Sequence, residues 1–513
     1  MVYGIKGILI TFDMRPARYI GLGLYFIGFL VFLYSLTLGS FRLTEPILKQ
    51  ALKPDHYEVI RERVQPMMGK NYASNWSFVR DFRRAVDGLN DEYRQTQQWD
   101  KVIYDNYVFP VTLASTTGPL TESPSVWFWA SLGLCIVGAL IYILAGLKTL
   151  PGIKNNGLFR HPATNRGWIG ISVGVFLIGF YILLYFYPEY ITGWVKLVDP
   201  ISRALDGKPA TQWFLYGFLY TVCVLVMGIR MLINYRHSRY QQLRTLSVMF
   251  FQVSFAFLIP ELLVFLNQPY QDLKNIWPLD YSFFFDYRIN EKIQAGSFGV
   301  FMFVWGLSLA FVGVPVLTYF LGKRWYCSWV CGCGGLAETL GDPYRHLSDK
   351  SLKAWKIERW LVHGVLVFAV VMTLLVLYTY FTGQSTVLGF LDSYSVRQTY
   401  GFLIGSIFAG VVGTGFYPLM GNRVWCRFGC PLAAYLGLVQ RFKSRFRITT
   451  NGGQCISCGN CSTYCEMGID VRWYAQRGQD VVRSSCVGCG ICSAVCPRGV
   501  LNLELGPEKT RRT

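Results

Sequence analysis

Hydrophobic positions arrive in blocks of about twenty, separated by polar stretches, and this pattern governs the first four-fifths of the chain. A helix of that length crosses the hydrocarbon core of a bilayer. Eight blocks stand out, at 19–38, 126–147, 168–186, 213–232, 248–266, 298–321, 360–381 and 402–420. Tyr and Trp gather at their ends (Trp127, Trp129, Trp168, Tyr185, Tyr187 and Trp213), as an interfacial belt requires. Buried helices of a large soluble domain would need neither this number nor this length. The pattern predicts a mainly α, polytopic transmembrane bundle of about eight spans. No cleavable signal peptide is expected, because the first block is long and no small-residue cleavage motif follows it.

The polar stretches carry their own signals. Residues 42–125 read as an extracytoplasmic segment, helical around 56–64 and 78–93, where apolar and charged residues mix at helical spacing. It holds no cysteine and one histidine, His56, so neither a covalent haem nor a metal site is expected there. The run 113–119 is faintly similar to threonine/serine-rich flavin-attachment sequences, and reads more simply as a flexible loop. The aromatic and acidic run 277–287 (Asp280, Tyr281, Asp286, Tyr287) reads as an interfacial belt in preference to a docking surface. Five segments follow: a first span at 1–41, the 42–125 segment, spans two to five at 126–297, spans six to eight at 298–441, and a terminal domain at 442–513.

Charge adds an orientation. The chain is 52% hydrophobic and only 15% charged, with a net charge of +19. Alternate short loops are rich in cations: Lys6, Arg15 and Arg18; Lys148, Lys154, Arg160 and Arg166; Arg236, Arg239 and Arg244; then Lys323, Arg324, Arg345, Lys350, Lys353, Lys356 and Arg359. The intervening loops are poorer: Lys196, Arg203 and Lys208; Lys274, Arg288 and Lys292; and Arg397. The positive-inside rule then places both termini in the cytoplasm of a bacterial inner-membrane protein. The same loops account for most of the positive charge, so membrane lipid is the expected partner and nucleic acid is not.

Fifteen cysteines narrow the chemistry, and eight of them form two runs. The first is Cys455-Ile-Ser-Cys458-Gly-Asn-Cys461-Ser-Thr-Tyr-Cys465 and the second Cys486-Val-Gly-Cys489-Gly-Ile-Cys492-Ser-Ala-Val-Cys496. Each reads C-x2-C-x2-C-x3-C, the spacing of a bacterial 2[4Fe–4S] ferredoxin, where a tight loop delivers three thiolates and the other run supplies the fourth. On that pattern Cys455, Cys458, Cys461 and Cys496 hold one cluster, and Cys486, Cys489, Cys492 and Cys465 the other. A zinc ribbon needs only two C-x2-C pairs, and a disulfide framework needs no such spacing. The terminal domain is therefore expected to be an α+β ferredoxin domain on the cytoplasmic side, where thiols stay reduced. Glu466-Met467-Gly468 stands after the first run where Pro497 follows the second, a departure expected to alter loop shape more than ligation. Lys443, Arg445, Arg447, Arg472, Arg477, Arg483 and Arg498 surround the runs and offset the negative charge of four-thiolate clusters.

A repeat precedes this domain. Gly322-Lys-Arg324-Trp-Tyr-Cys327-Ser-Trp-Val-Cys331 follows the sixth block, and Gly421-Asn-Arg423-Val-Trp-Cys426-Arg-Phe-Gly-Cys430-Pro431 follows the eighth. On a helix, residues four apart share a face, so each copy presents two thiols side by side, and the copies can face one another. Cys327, Cys331, Cys426 and Cys430 are candidates for redox thiols, or for holding a further metal or cluster. Cys135 and Cys223, isolated within blocks, read as small hydrophobes, while Cys333 has no assignment.

The doubled C-x3-C motif with a two-cluster segment resembles the membrane polyferredoxins of bacterial respiration, the NapH/NosR type serving periplasmic nitrate and nitrous oxide reductases. A related protein assists cytochrome oxidase assembly. The resemblance spans about 298–505; the first copy departs from it in lacking the proline and in carrying Cys333. It implies electron transfer between the quinone pool or a cytoplasmic donor and a respiratory partner. That makes the chain a component of a quinol-linked oxidoreductase rather than a stand-alone enzyme. The alternative is a maturation factor whose thiols reduce a metal such as copper, or deliver it to a respiratory enzyme. A quinone site needs a proton acceptor, and Glu261 and His363 are the candidates within blocks. Haem b is not expected, since His363 is the one histidine clearly inside a block.

Overall fold

The structure, a computed structural model, describes residues 15–146, 150–152, 158–384, 386–387, 389 and 391–506. Lys6, Lys148 and Lys154, read above for orientation, lie outside the described residues, as do both termini. Seven helices are long and apolar enough to cross a membrane: Pro16–Thr37, Pro124–Gly146, Trp168–Phe186, Gln212–Asn234, Arg239–Phe265, Gly296–Leu321 and Leu352–Thr382. They match the first seven hydrophobic blocks. The eighth, 402–420, departs from the expected count. Its helix begins in the polar turn Ser393–Tyr400, runs through the π-helical stretch Gly401–Val412 and breaks at Phe416, ahead of Tyr417–Met420. Pro418 explains the break: it has no N–H to offer the Thr414 carbonyl, and its ring crowds that oxygen.

The chain forms two compact units, Met1–Lys148 with Glu189–Pro200, and Thr149–Pro188 with Ile201–Thr513. In the first, two spans meet through small residues. A Cβ on Gly28 would stand 2.6 Å from the Ser131 carbonyl oxygen, and one on Gly138 2.6 Å from that of Gly21. Such close backbone approach is how helices associate in lipid. The polar segment contains the expected helices, Pro54–Val64 and Asn75–Gln95, packed on Phe41, Ile60, Phe78 and Phe82. A small antiparallel sheet places Ser40–Arg42 between Asn71–Tyr72 and Thr116–Thr117. The run 113–119 is thus a helix end and an edge strand rather than a flexible loop; Thr117 Oγ1 donates to the Ser40 carbonyl at 3.1 Å.

The second unit joins the later spans to a ferredoxin fold. Strands Phe446–Thr450 and Leu501–Leu505 pair antiparallel, with Phe446 opposite Leu505, and a short helix follows each cysteine loop, at Asn460–Thr463 and Ile491–Ala494. The segment between helices Arg239–Phe265 and Gly296–Leu321 is not the surface belt expected of its aromatics. Ile276, Phe283, Phe284 and Phe285 are buried, and Trp277 Nε1 donates to Thr373 Oγ1 at 3.0 Å. Trp305 Nε1 donates to the Leu273 carbonyl at 2.9 Å from a position nine residues into its helix, roughly 14 Å along the axis. The segment is a re-entrant plug, tolerated at that depth because protein surrounds its irregular backbone.

Candidate functional site

The ferredoxin cysteines divide into two groups. Cys455, Cys458, Cys461 and Cys496 line one shared cavity, with Cys458 exposed at the surface. Glycines at 459 and 490, both with positive φ, turn each loop so that the third cysteine opens a short helix. Cys465 lies beside Cys486, and Cys492 is within electrostatic reach of Cys489, Cys486 and Cys465. Burial pushes the free thiols up, Cys461 to about 12, Cys486 to about 11 and Cys489 to about 12. A group that takes them as thiolates therefore has to repay desolvation.

The paired C-x3-C motif is not one helix per copy, as the spacing suggested. Cys327 ends the short helix Arg324–Cys327, and Cys331 is the N-cap of the next, Gly332–Thr339. Likewise Cys426 lies in the π-helical turn Trp425–Gly429, and Cys430 caps Pro431–Lys443. The copies match in detail. Gly322 and Gly421 both take positive φ (73° and 94°), and the second cysteine's N–H donates five residues back, Cys331 to Tyr326 at 2.8 Å and Cys430 to Trp425 at 2.9 Å. Capping aims helix N–H groups at sulfur: Ala433 N donates to Cys430 Sγ at 3.4 Å. All four thiols are buried in one core with Ile276 of the plug and Cys461, Cys486 and Cys492. Cys333, beside it, and Lys274 hold the Cys331 thiol below its ordinary value against burial. Burial pushes Cys327 the other way, to about 12.

The loop bearing Cys331 folds back along the bundle. A Cβ on Gly332 would stand 3.1 Å from Gln252 Oε1, and Gln252 is four residues, roughly 6 Å, into the apolar block that begins at 248. The thiol loop is therefore packed among the apolar helices, where the plug meets it: Tyr326 Oη donates to the Lys274 carbonyl at 3.0 Å. On its other side it touches the ferredoxin fold. Gln440 accepts from Lys323 N at 2.7 Å and donates to the Cys486 carbonyl at 2.8 Å, while Ser328 Oγ donates to the Val487 carbonyl at 2.9 Å.

Sequence reasoning missed the polar core that joins these groups. Arg345 donates to Glu466 at 2.6 Å and to Asp342 at 2.7 Å, and Arg230 to Asp342 at 2.6 Å. Arg423 spans Glu466 at 3.1 Å, Glu338, the Cys327 carbonyl at 3.2 Å and Cys426 Sγ at 3.5 Å. Burial alone would raise the Glu466 carboxyl, but Arg423, Arg345 and Arg244 hold it down at about 2. Glu466, taken as a matter of loop shape, is thus the point where the loop after Cys465 is gripped; its presence in place of proline was the available signal. Arg244 also pairs through Nη1 with Glu338, while its Nε and Nη2 are buried without a hydrogen-bond partner and the side chain lies near Cys489. The buried Arg244, Arg345 and Arg423, with the half-buried Arg230, face three carboxylates here, a surplus of one cation that fits anionic thiolate-ligated clusters. Among the described residues, no three His, Cys, Asp or Glu side chains close up to hold a single metal ion. One zinc ion would draw sulfurs to about 2.3 Å from a common centre, whereas a four-iron cluster spreads them.

The two proton-acceptor candidates part company. His363 lines a cavity with Cys426, Lys323, Glu358 and Arg427. Glu261 lies near the far end of Arg239–Phe265, away from the thiols, with Asp206 and Tyr270 for neighbours. Cys135 Sγ contacts the Tyr25 carbonyl at 3.6 Å within the first unit, as a packing residue would.

A bundle of apolar helices carrying ferredoxin cysteines defines a class: the chain carries 4Fe-4S binding domains beside candidate membrane spans and is similar to ferredoxin-type electron transport proteins. The 4Fe-4S binding domain family matches twice, over 303–352 and 400–449, once for each C-x3-C copy, and the 4Fe-4S dicluster domain family matches 453–501. The putative electron transport protein YccM of Escherichia coli is 30% identical over 181 residues, 32% of this chain and 46% of that protein. The methylamine utilization ferredoxin-type protein MauN of Methylobacillus flagellatus is 27% identical over 171 residues, 30% of this chain and 54% of MauN. MauN of Paracoccus denitrificans is 29% identical over 183 residues, 31% of this chain and 58% of its own. The chain thus spans about half the length of these relatives, and no solved structure matches it.

Proposed function

We propose that the protein relays single electrons along a line running from the exposed ferredoxin loops, through the buried ferredoxin cysteines, to the thiol group at membrane depth. It thereby links a cytoplasmic donor or the quinone pool to a respiratory partner. Clusters held by Cys455, Cys458, Cys461 and Cys496, and by Cys486, Cys489, Cys492 and Cys465, supply one-electron chemistry when bound. The chain's own residues set position and charge. Arg423 and Glu466 fasten the two halves, Arg244 brings positive charge to Cys489, and Lys323 stands between Cys486 and the pair Cys327 and Cys426. Cys327, Cys331, Cys426 and Cys430 hold a further iron–sulfur centre, placed where the plug reaches it. The observation carrying this reading is the bridge Cys486–Gln440–Lys323, which leads from a ferredoxin ligand directly into the first C-x3-C copy. Serine replacement of Cys426 and Cys430 tests it: the relay predicts loss of quinol-dependent reduction with the terminal clusters intact.

A second reading has one observation in its favour. The Cys331-Gly332-Cys333 step, which sets two thiols side by side in the first copy, suits dithiol chemistry of the kind a metal-maturation factor uses. Intact quinol-dependent cluster reduction in the serine variants, with a partner enzyme lacking its metal, would favour that role.

A further inference from the structure

The outer ferredoxin loop opens onto the surface. Ile456 is 55% exposed and Cys458 is exposed, whereas Cys486 and Cys492 of the other group are buried. Two exposed arginines, Arg472 and Arg498, line the cavity shared by Cys455, Cys458, Cys461 and Cys496. The Arg472 guanidinium reaches to 4.0 Å from where a Cβ on Gly459 would stand, and Arg498 follows Pro497 on the stretch after Cys496. Trp473, 44% exposed, carries Arg477 stacked 4.1 Å over its ring. Asp470, nearby in sequence, is occupied by Ser462 Oγ, which donates to it at 2.6 Å. The face therefore has a small apolar centre and a basic rim around a surface thiol.

We propose that this face docks an acidic, soluble one-electron carrier protein, an inference that rests on these four cysteines holding a cluster. One electron leaves the carrier's redox centre and enters the thiolate-held group; no bond forms or breaks and no proton moves. The same face serves the reverse direction. An anionic lipid surface would also meet arginines, but it has no use for a ligand cysteine brought to the surface. The small apolar centre suits a transient redox encounter at the low end of interface sizes. The rim raises its association rate by steering, which salt then weakens.

Flavodoxin is a suitable acidic probe, with the cluster-loaded protein in zwitterionic-lipid nanodiscs. The Kd is expected to rise about tenfold or more in the Arg472→Glu/Arg498→Glu double variant and to lose most of its dependence on ionic strength. Arg472→Lys/Arg498→Lys keeps binding. Lys353→Glu/Lys356→Glu makes the same charge change at exposed positions elsewhere and leaves binding unchanged. An unaltered Kd in the first variant overturns the proposal, and so does equal weakening in the control pair. Loss of binding to phosphatidylserine vesicles with flavodoxin binding retained also overturns it and marks a lipid face. Missing cluster absorbance in the unaltered protein marks failure of the ligation reading instead, while the Kd, which needs no turnover, still decides the docking one.

Discussion

Glu466 shows how much one side chain can carry when its partners are remote in sequence. It is fully enclosed between Arg345 and Arg423, 121 and 43 positions earlier, and Asn422 Nδ2 donates to it at 3.1 Å. Removing one partner of such a pair leaves an uncompensated buried charge, at a cost of about 3–5 kcal/mol. Glu466→Gln is therefore expected to lower the thermal unfolding temperature and release cluster absorbance at lower temperature, whereas Glu504→Gln on the terminal strand does neither. Acid acts on the same residue. Its carboxyl lies at about 2 in the fold against an ordinary 4.5, so the unfolded chain binds the extra proton between those values and stability falls as pH drops through that window. His346 behaves alike at higher pH. Burial, with Lys350 and Arg166 nearby, lowers it from 6.5 to about 4, so stability present above 6.5 is lost as pH falls toward 4. Unfolding followed from pH 7 to pH 4 should show that loss, and His346→Gln should flatten it. None of this was legible beforehand: a glutamate after a cysteine run reads as loop chemistry until the arginines that hold it are placed.

At the scale of elements, the cysteine loops were readable because their ligand spacing is set by a few consecutive residues. The C-x3-C copies were readable as a repeat but not as a shape. Four-residue spacing suggested two helical faces, and the structure instead puts each second cysteine at a helix start, with an aromatic residue's carbonyl accepting its N–H. The glycines that open each copy are part of that shape. A Cβ on Gly421 would add strain at φ 94° and stand 2.8 Å from Ser348 N. Gly421→Ala is expected to destabilise the protein by more than about 1 kcal/mol, measured by denaturant unfolding. The crossed grouping of the terminal cysteines makes a sharper prediction. Cys496→Ser should remove the cluster shared with Cys455, Cys458 and Cys461, and Cys465→Ser the other, in paramagnetic resonance spectra of the reduced protein. Loss of the opposite cluster in each case would contradict the grouping.

Across the whole molecule, seven of the expected spans were visible in hydropathy alone, since length and apolarity are local properties. The eighth block is helical too, over 393–415, but its helix starts earlier and ends sooner than hydropathy indicates, since hydropathy takes no account of Pro418 or of the polar start at Ser393. The plug was misread for a similar reason: aromatics at a span end look alike whether they face lipid or fold inward. Yet plug and thiol loop meet among the apolar helices, and that meeting puts four buried thiols beside the ferredoxin cysteines. What those thiols hold decides whether the electron path extends beyond the ferredoxin. Iron and acid-labile sulfide, counted on the purified protein alongside a redox-titrated paramagnetic resonance spectrum, decide it most directly. The account predicts about twelve iron atoms, falling to about eight in Cys426→Ser/Cys430→Ser with both ferredoxin signals retained. About eight in both proteins, with identical spectra, would contradict it.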